Sequence, residues 1–311
     1  MYTRAFRYER ADDLPAACAA LRRHGEGARV LAGGQSLLPM INVGLAAPEV
    51  LVDISRVAEA REITASDGYL SIGALVTHRE LIASEVARAA QPLLGAAAAH
   101  IGSARIRNRG TLGGSLAHSD PAAELPVVMT ALGASYELTD GRAEREVRAE
   151  EFAITVFTTE LEPDELLVAA RVPVLGPGWG WSFREVSRRR GDFALVSAAA
   201  LVRSAGEGGG AGEGGGAGEV IVEARLALGG VADRAVRLAA VEAALTGATR
   251  DEIAARVGPI EGISPVTDTG ASAEYRRHLA RVLAVQALEE ACARSEVTVS
   301  GEAGTVGGEA Q

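Results

Sequence analysis

Apolar positions fall into short runs whose spacing changes character along the chain. Residues 12–24 (DDLPAACAALRRH) carry apolar side chains at helical spacing behind acidic residues that suit a helix N-terminus, and ARVLAGG then reads as a short buried strand ending at Gly33. A helical turn around 37–45 leads into the strand EVLVDI (49–54), and alternation recurs in YLSIGA (69–74) and across 134–148. Helix dominates from about 77 to 108. After GPGW (176–179) the strands lengthen to WSFREVS (181–187), ALVSAAALV (194–202) and VIVEARLALGGV (220–231), followed by helices at about 234–246 and 272–294. This shift places a boundary near 175.

Two low-complexity stretches interrupt the pattern. Residues 205–219 (AGEGGGAGEGGGAGE) repeat AGEGGG between two strands and read as a flexible hairpin loop, and 295–311, rich in Gly and Glu, read as a disordered tail. Within the loop, Gly210, Gly212 and Gly215 spell the dinucleotide fingerprint GxGxxG, but the segment neither opens a helix nor stands in a βαβ unit, so it carries no nucleotide reading. No Walker A or HExxH motif occurs elsewhere.

With 311 residues, 48% of them hydrophobic, the chain can bury a sizeable core in about two domains. An excess of 41 acidic over 31 basic residues leaves no basic footprint for nucleic acid. Cys18 and Cys292 are too few for a thiolate cluster and read as reduced, partly buried thiols; His24, His78, His100 and His278 lack ligand spacing, so no metal site is expected. The start, MYTRAFRYER, has no apolar export segment, and no run approaches the ~18 apolar residues of a membrane span, so the expected location is the cytoplasm.

Chemistry is concentrated in two glycine pairs. AGGQS (32–36) follows a strand and is rich in small and hydroxyl residues; RGTLGGS (109–115) repeats that composition. Glycine tolerates positive φ and lets backbone N–H groups converge on an anion without any lysine, while Ser36, Thr111 and Ser115 add hydroxyls. Two such loops can face the two phosphoryl groups of a dinucleotide such as FAD; each pair could equally be a tight turn beside a strand.

AGGQSLLPM with INVGLAAPEVLVDIS, and then IRNRGTLGGSLAHSDPAAELP, resemble the two flavin-binding motifs of the FAD-binding medium subunits of molybdenum hydroxylases, the group of the carbon monoxide dehydrogenase medium chain and the xanthine dehydrogenase flavin domain. FREVSRRRGDFALVSAA (183–199) resembles a flavin-adjacent segment of the same family, and the similarity spans roughly residues 1 to 290. The resemblance implies an α+β flavoprotein with an N-terminal FAD-binding domain (1–175) of two α/β subdomains, about 1–55 and 56–175, in a PCMH/VAO-like FAD fold. A C-terminal domain (176–294) with a small antiparallel sheet and helices follows.

The resemblance also implies roles for individual residues. Ala32, Gly33, Gly34, Gln35 and Ser36 would wrap the FAD pyrophosphate from one side, and Thr111, Gly113, Gly114 and Ser115 from the other. Glu124 would face the adenosine part; Leu167 and Arg184 would lie beside the isoalloxazine, with Arg184 where relatives often have lysine, and Phe193 would stack near it. Gly44 stands where relatives commonly have arginine. In the family, substrate is hydroxylated at a molybdopterin cofactor in a large subunit, and electrons pass through 2Fe–2S centres in a small subunit to noncovalent FAD in the medium subunit, then to an external acceptor. The implied assembly is a dimer of heterotrimers.

Two other enzyme readings are open from residues alone. A standalone FAD-dependent oxidoreductase would need its own substrate pocket, and no obvious base follows residue 175. A serine hydrolase would use Ser115 with His118 and Asp120, but GGSLA departs from the GxSxG elbow at Ala117 and the serine follows polar RNRGT, not a clear strand. A non-enzymatic binding module would require decayed phosphate loops, and these are intact.

Overall fold

A computed structural model describes residues 5–205 and 220–302, with side chains described to Ser295. Its first layer is a three-stranded parallel sheet in which Val50–Asp53 pairs with Arg7–Arg10 on one side and Ala28–Leu31 on the other. Val50, Leu51 and Val52 are almost wholly buried, which explains why this central strand reads as an unbroken apolar run. Helix Leu14–His24 starts at Asp13, whose carboxylate accepts from the Ala16 amide at 2.7 Å, and packs Ala17, Cys18 and Leu21 against the sheet. Arg7–Arg10 (RYER) escapes sequence reading because an edge strand needs few apolar residues. The Tyr8 hydroxyl donates to Asp53, anchoring that edge.

An antiparallel five-stranded sheet follows, ordered Ile63–Ser66, Tyr69–Gly73, Leu166–Pro173, Ser135–Thr139, Glu144–Arg148. Its central strand Leu166–Pro173 comes from the end of the segment and was not distinguished by the hydrophobic pattern, because LLVAARVP does not alternate cleanly. Helices Pro92–Ala98, Leu112–His118 and Glu124–Leu132 contribute Leu93, Leu94, Leu112, Leu116, Leu125 and Met129 to one core with this sheet.

The C-terminal sheet is an antiparallel meander of Trp179–Ser187, Ala194–Ala205, Val220–Gly229 and the short Val236–Arg237. It is covered on both faces. Val196, Ala198, Ala200 and Val202 meet helix Ala273–Glu302, while Phe183, Ala199, Leu201 and Ala227 join the core built on Pro92–Ala98 and Glu124–Leu132. Small alanines on the shared strand let two layers approach it closely.

Two expectations are corrected. The helix expected from 234 begins at Ala239, because Val236 pairs with Leu228 and Arg237 is drawn to Glu242 (3.0 Å) and Glu150 (2.9 Å). The last helix continues to Glu302, past the tail expected from 295: the buried Ser295 hydroxyl bonds the Cys292 carbonyl within the helix (2.7 Å) and lies 2.9 Å from Ser204 Oγ, a contact that joins the helix to the sheet. Residues 303–311 and the repeat at 206–219 lie outside the described residues. Ala205 and Val220, which flank the repeat, are register partners.

Since the flanking strands already meet, replacing 206–219 by a two-residue turn should change stability by no more than about 2 kcal/mol, in the stabilising direction, as each doubling of loop length costs only about 0.6 kcal/mol. Urea unfolding of the two chains measures this. A loss of several kcal/mol would mean that the repeat makes contacts of its own.

Candidate functional site

The first glycine loop leaves the edge strand Ala28–Leu31 and enters the short helix Leu37–Asn42. Gly34 has φ +72°, which favours glycine, and the Gln35 amide side chain donates to the Gly33 carbonyl at 3.1 Å. Among the described residues, the backbone N–H groups of Gly33, Gly34, Gln35 and Ser36 donate to no protein acceptor, and the Ser36 hydroxyl caps nothing although it stands at the helix start. Four successive amides and a hydroxyl are thereby left as uncommitted donors, the kind of groups that a phosphate can take up.

The second loop is laid along the end of strand Tyr69–Gly73. His78 N donates to the Gly110 carbonyl (3.0 Å), Leu112 N to Val76 (2.9 Å) and Gly113 N to Ala74 (2.8 Å). Thr111 is buried and caps helix Leu112–His118 by accepting from Gly114 N at 3.1 Å. The amides of Gly113 and Gly114 are therefore committed within the protein, unlike those of the first loop. A Cβ on Gly113 would stand 2.5 Å from Ala74 Cβ, so that glycine serves close packing. Ser115 sits half-buried in the same helix.

The loops meet at their backbones. A Cβ on Gly33 would stand 2.1 Å from the Arg109 carbonyl oxygen and 3.0 Å from Gly110 Cα, so only glycine permits the contact. Beside it opens a cavity of about 630 Å³ lined by Ala32, Gly33, Ser55, Thr77 and Thr111, with Arg56, Arg61, Arg79 and Arg109 contributing its charge. The carboxylate in its wall, Glu80, is occupied by a capping box with Thr77: its Oε2 accepts from Thr77 N and Oγ1, each at 2.8 Å. Sequence reading missed Arg56, Arg61 and Arg79, because no motif links them; folding brings them from separate segments.

His78 was passed over as isolated, and lies beneath this loop. It is buried, its Nδ1 has no partner, and burial, aided by nearby Arg107, pushes its pKa down to about 4, so the ring is neutral. Packing against Gly110 makes it a support for the loop.

The remaining expected residues are dispersed. Glu124 opens helix Glu124–Leu132 at the seam with the C-terminal sheet, where its electrostatic neighbours are His100, Glu185 and Asp120, and it does not line the arginine cavity. Burial, with Glu185 and Asp120 adding repulsion, pushes its carboxyl up to about 7. His100 Nδ1 lies 3.2 Å from Glu185 Oε1, and this hydrogen bond raises the histidine's pKa; Glu185 Oε2 is buried without a partner. Leu167 is a core residue opposite Leu138. Arg184 is on the other face of its strand from Phe183 and Glu185, donating to Glu290 Oε2 at 2.7 Å beside Ser182, which bonds the same oxygen at 2.8 Å. The charged group this strand turns toward the seam is thus Glu185, because strand alternation sends Arg184 to the helix. Phe193 is 67% exposed. Ser115 makes no hydrogen bond to His118, whose ring stacks on Phe157 at 4.7 Å, so no hydrolase triad is assembled among the described residues. Nor do these residues contain a metal-ligand group or a helix long and apolar enough to cross a membrane.

Family models match nearly the whole described chain: an FAD-binding domain in molybdopterin dehydrogenase over residues 4–175, and a CO dehydrogenase flavoprotein C-terminal domain over 181–291. The chain is 37% identical to the 6-hydroxypseudooxynicotine dehydrogenase complex subunit alpha of Paenarthrobacter nicotinovorans, covering 94% of this chain and 97% of that one. In structure it is similar to a chain of carbon monoxide dehydrogenase from Hydrogenophaga pseudoflava (TM-score 0.86, 34% identity, 94% and 99% coverage). A chain of quinoline 2-oxidoreductase from Pseudomonas putida 86 is similarly related (TM-score 0.84, 35%, 95% and 99%).

The seam carboxyl gives a pH signature. Glu124 ionises near 4.5 when unfolded but only at about 7 when folded, so its contribution to stability is greatest below 4.5 and declines as pH rises to about 7. Glu124→Gln should therefore stabilise the flavin-free chain by about 2–3 kcal/mol at pH 8 and leave it little changed at pH 4. Urea unfolding at both pH values measures the difference; equal effects at the two would contradict the assignment.

Proposed function

The chain belongs to the family of FAD-binding medium subunits of the molybdenum hydroxylases, the carbon monoxide dehydrogenase and xanthine dehydrogenase group, and we infer that its FAD diphosphate is held where the two glycine loops touch. The observation that carries this is the set of unbonded amides at Gly33, Gly34, Gln35 and Ser36, pressed by Gly33 against the Arg109 carbonyl. Those amides and the Ser36 hydroxyl supply donors from one side; Thr111 and Ser115 hydroxyls and the Arg109 guanidinium supply them from the other. The fit is good because a cradle that a single Cβ would fill, lined by uncommitted donors, is what a close-bound diphosphate requires.

In this reading residues 1–175, in parts 1–55 and 56–175, form the FAD-binding domain, and 176–294 a C-terminal flavoprotein domain. When bound, FAD supplies two-electron and one-electron redox chemistry to the assembly. The protein's share is to fix the cofactor and limit its contact with water. At the seam, Glu124 and His100, the latter paired with Glu185, present two groups held toward their protonated forms between the two regions. Arg184, neutralised by Glu290, braces the C-terminal sheet against its helix. Leu167 and Phe193 would act through packing and through an exposed ring, respectively.

The chain works as the electron exit of a larger enzyme. A molybdopterin-binding large subunit hydroxylates the substrate, a small subunit with 2Fe–2S centres relays electrons, and this subunit passes them to an external acceptor; two such heterotrimers pair. Relatives named as a complex subunit support a multi-subunit assembly. Cys18 and Cys292 are both buried, and the Cys18 thiol, pushed up to about 11 by burial, is unsuited to ligating a cluster.

Isolated in its native assembly, the chain should release its flavin as FAD into the supernatant on acid precipitation, and a coloured pellet would contradict noncovalent binding. Gly33→Ala should weaken FAD by about a hundredfold or more while far-ultraviolet circular dichroism is retained, because the added methyl separates the loops. Unchanged affinity would show that the diphosphate lies elsewhere.

A further inference from the structure

The seam gathers charge from five places in the fold, none of which lines the arginine cavity. His100 comes from the turn after helix Pro92–Ala98, Asp120 from the turn before helix Glu124–Leu132, Glu124 from that helix, Glu185 from strand Trp179–Ser187, and Arg190 from the hairpin that joins this strand to Ala194–Ala205. Strand Ala194–Ala205 offers no compensating charge: Ser197, the register partner of Glu185, is wholly buried and its hydroxyl is unbonded. Among the described residues, His100 is the one group bonded to Glu185, through Oε1 at 3.2 Å, while Oε2 is buried and unbonded. The His100 ring also packs edge-to-face on Phe183, with 5.3 Å between centroids. Beside this pair the hairpin rests on backbone: Gly191 has φ +85°, and a Cβ there would stand 2.9 Å from the Gly102 carbonyl oxygen. Arg107 Nη1 donates to the Ile101 and Gly102 carbonyls, each at 2.8 Å. Residues 101–109 therefore form one span, with the hairpin against its start and Gly33 against the Arg109 carbonyl at its end.

We propose that the seam is a proton-controlled latch on the cofactor: with its protons in place it clamps the 188–193 hairpin onto the 101–109 span and FAD is retained, and without them the clamp loosens and FAD leaves faster. The proposal rests on the reading of the glycine loops as the FAD diphosphate cradle, because the span ends at that contact. Both seam protons are lost in the same direction. Burial, with repulsion from Glu185 and Asp120, keeps Glu124 neutral up to about 7, and the hydrogen bond to Glu185 holds His100 protonated above its ordinary 6.5. Arg190 opposes the latter by repelling the charged imidazole, a smaller influence than the bond to Glu185. As pH rises, a seam with one bonded cation and one carboxylate becomes a seam with two carboxylates and a neutral imidazole. Like charges repel strongly in a buried site, and the ion pair that fastened strand to turn is gone. A group whose folded pKa is raised stabilises the closed form fully below its unfolded value and loses that effect as pH climbs through the folded one, so the clamp is tight near pH 6 and loose by about pH 8.5. His78 and Cys18 titrate outside that range, at about 4 and about 11.

Release of FAD from the native assembly, followed by the rise of free-flavin fluorescence after dilution, tests this. The release rate should increase at least about tenfold from pH 6 to pH 8.5. Glu185→Gln keeps the shape of the side chain and removes the carboxylate that raises both of the other groups, so in that variant the rate should change less than about twofold over the same range. Amide hydrogen exchange of the wild-type, flavin-free full chain, corrected for the intrinsic rate at each pH, needs no variant. Asp192, Arg107 and Asn108, whose N–H groups donate to the carbonyls of Arg189, Ser103 and Ala104, should lose about tenfold in protection between pH 6 and pH 8.5, while strand Val50–Asp53 keeps its own. A release rate flat with pH, a pH dependence that survives in Glu185→Gln, or unchanged protection at those three amides overturns the latch and leaves the cradle reading standing. If the native assembly carries no FAD, or if Gly33→Ala holds FAD as tightly as the wild type, the cradle reading itself falls.

Discussion

Backbone lies on backbone where Gly33 meets the Arg109 carbonyl, and much of the molecule is arranged to make that contact possible. The parallel sheet carries the first loop at the end of Ala28–Leu31, while the antiparallel sheet carries the second through the bonds of Leu112 and Gly113 to Val76 and Ala74. Neither loop alone forms a site. Once joined, they bring unbonded amides and the arginine cavity together at Gly33, combining unpaired dipoles with full charges. His78 and the Thr77–Glu80 capping box support the loop from behind, which ties stability of the fold to the shape of the site.

A second constraint is the shared core. Because Ala199, Leu201 and Ala227 of the C-terminal sheet pack in the same cluster as Leu93, Leu94 and Leu125, the two regions hold a common apolar interior. Burial of polar groups at such a seam is costly unless they are paired, and here His100 and Glu185 pair while Glu124 keeps its proton up to about 7. The seam is thereby sensitive to pH in the neutral range.

Much of this was legible in the sequence. The helix at 14–24, the buried strand at 50–53 and the three long C-terminal strands followed from periodicity, and the two glycine pairs marked the loops whose family likeness the comparisons support. Edge strand Arg7–Arg10 was hidden by its polarity, and Leu166–Pro173 by its lack of alternation, since both owe their state to neighbours distant in sequence. The arginines at 56, 61 and 79 left no motif because charge convergence is a product of tertiary folding. Arg184 turns to Glu290 and the last helix while the seam receives Glu185, a division that one residue of strand alternation decides. The two glycine pairs, alike in sequence, differ in the fold, because Gly113 and Gly114 spend their amides on Ala74 and Thr111.

That asymmetry can be measured directly by amide hydrogen exchange with and without FAD, read residue by residue. Donors unbonded in the protein should become protected when they acquire a phosphate acceptor, whereas donors already bonded should change little. The account predicts new protection at Gly34, Gln35 and Ser36 and near-constant exchange at Gly113 and Gly114. Protection gained at Gly113 and Gly114, with Gly34 to Ser36 still exchanging freely, would contradict it.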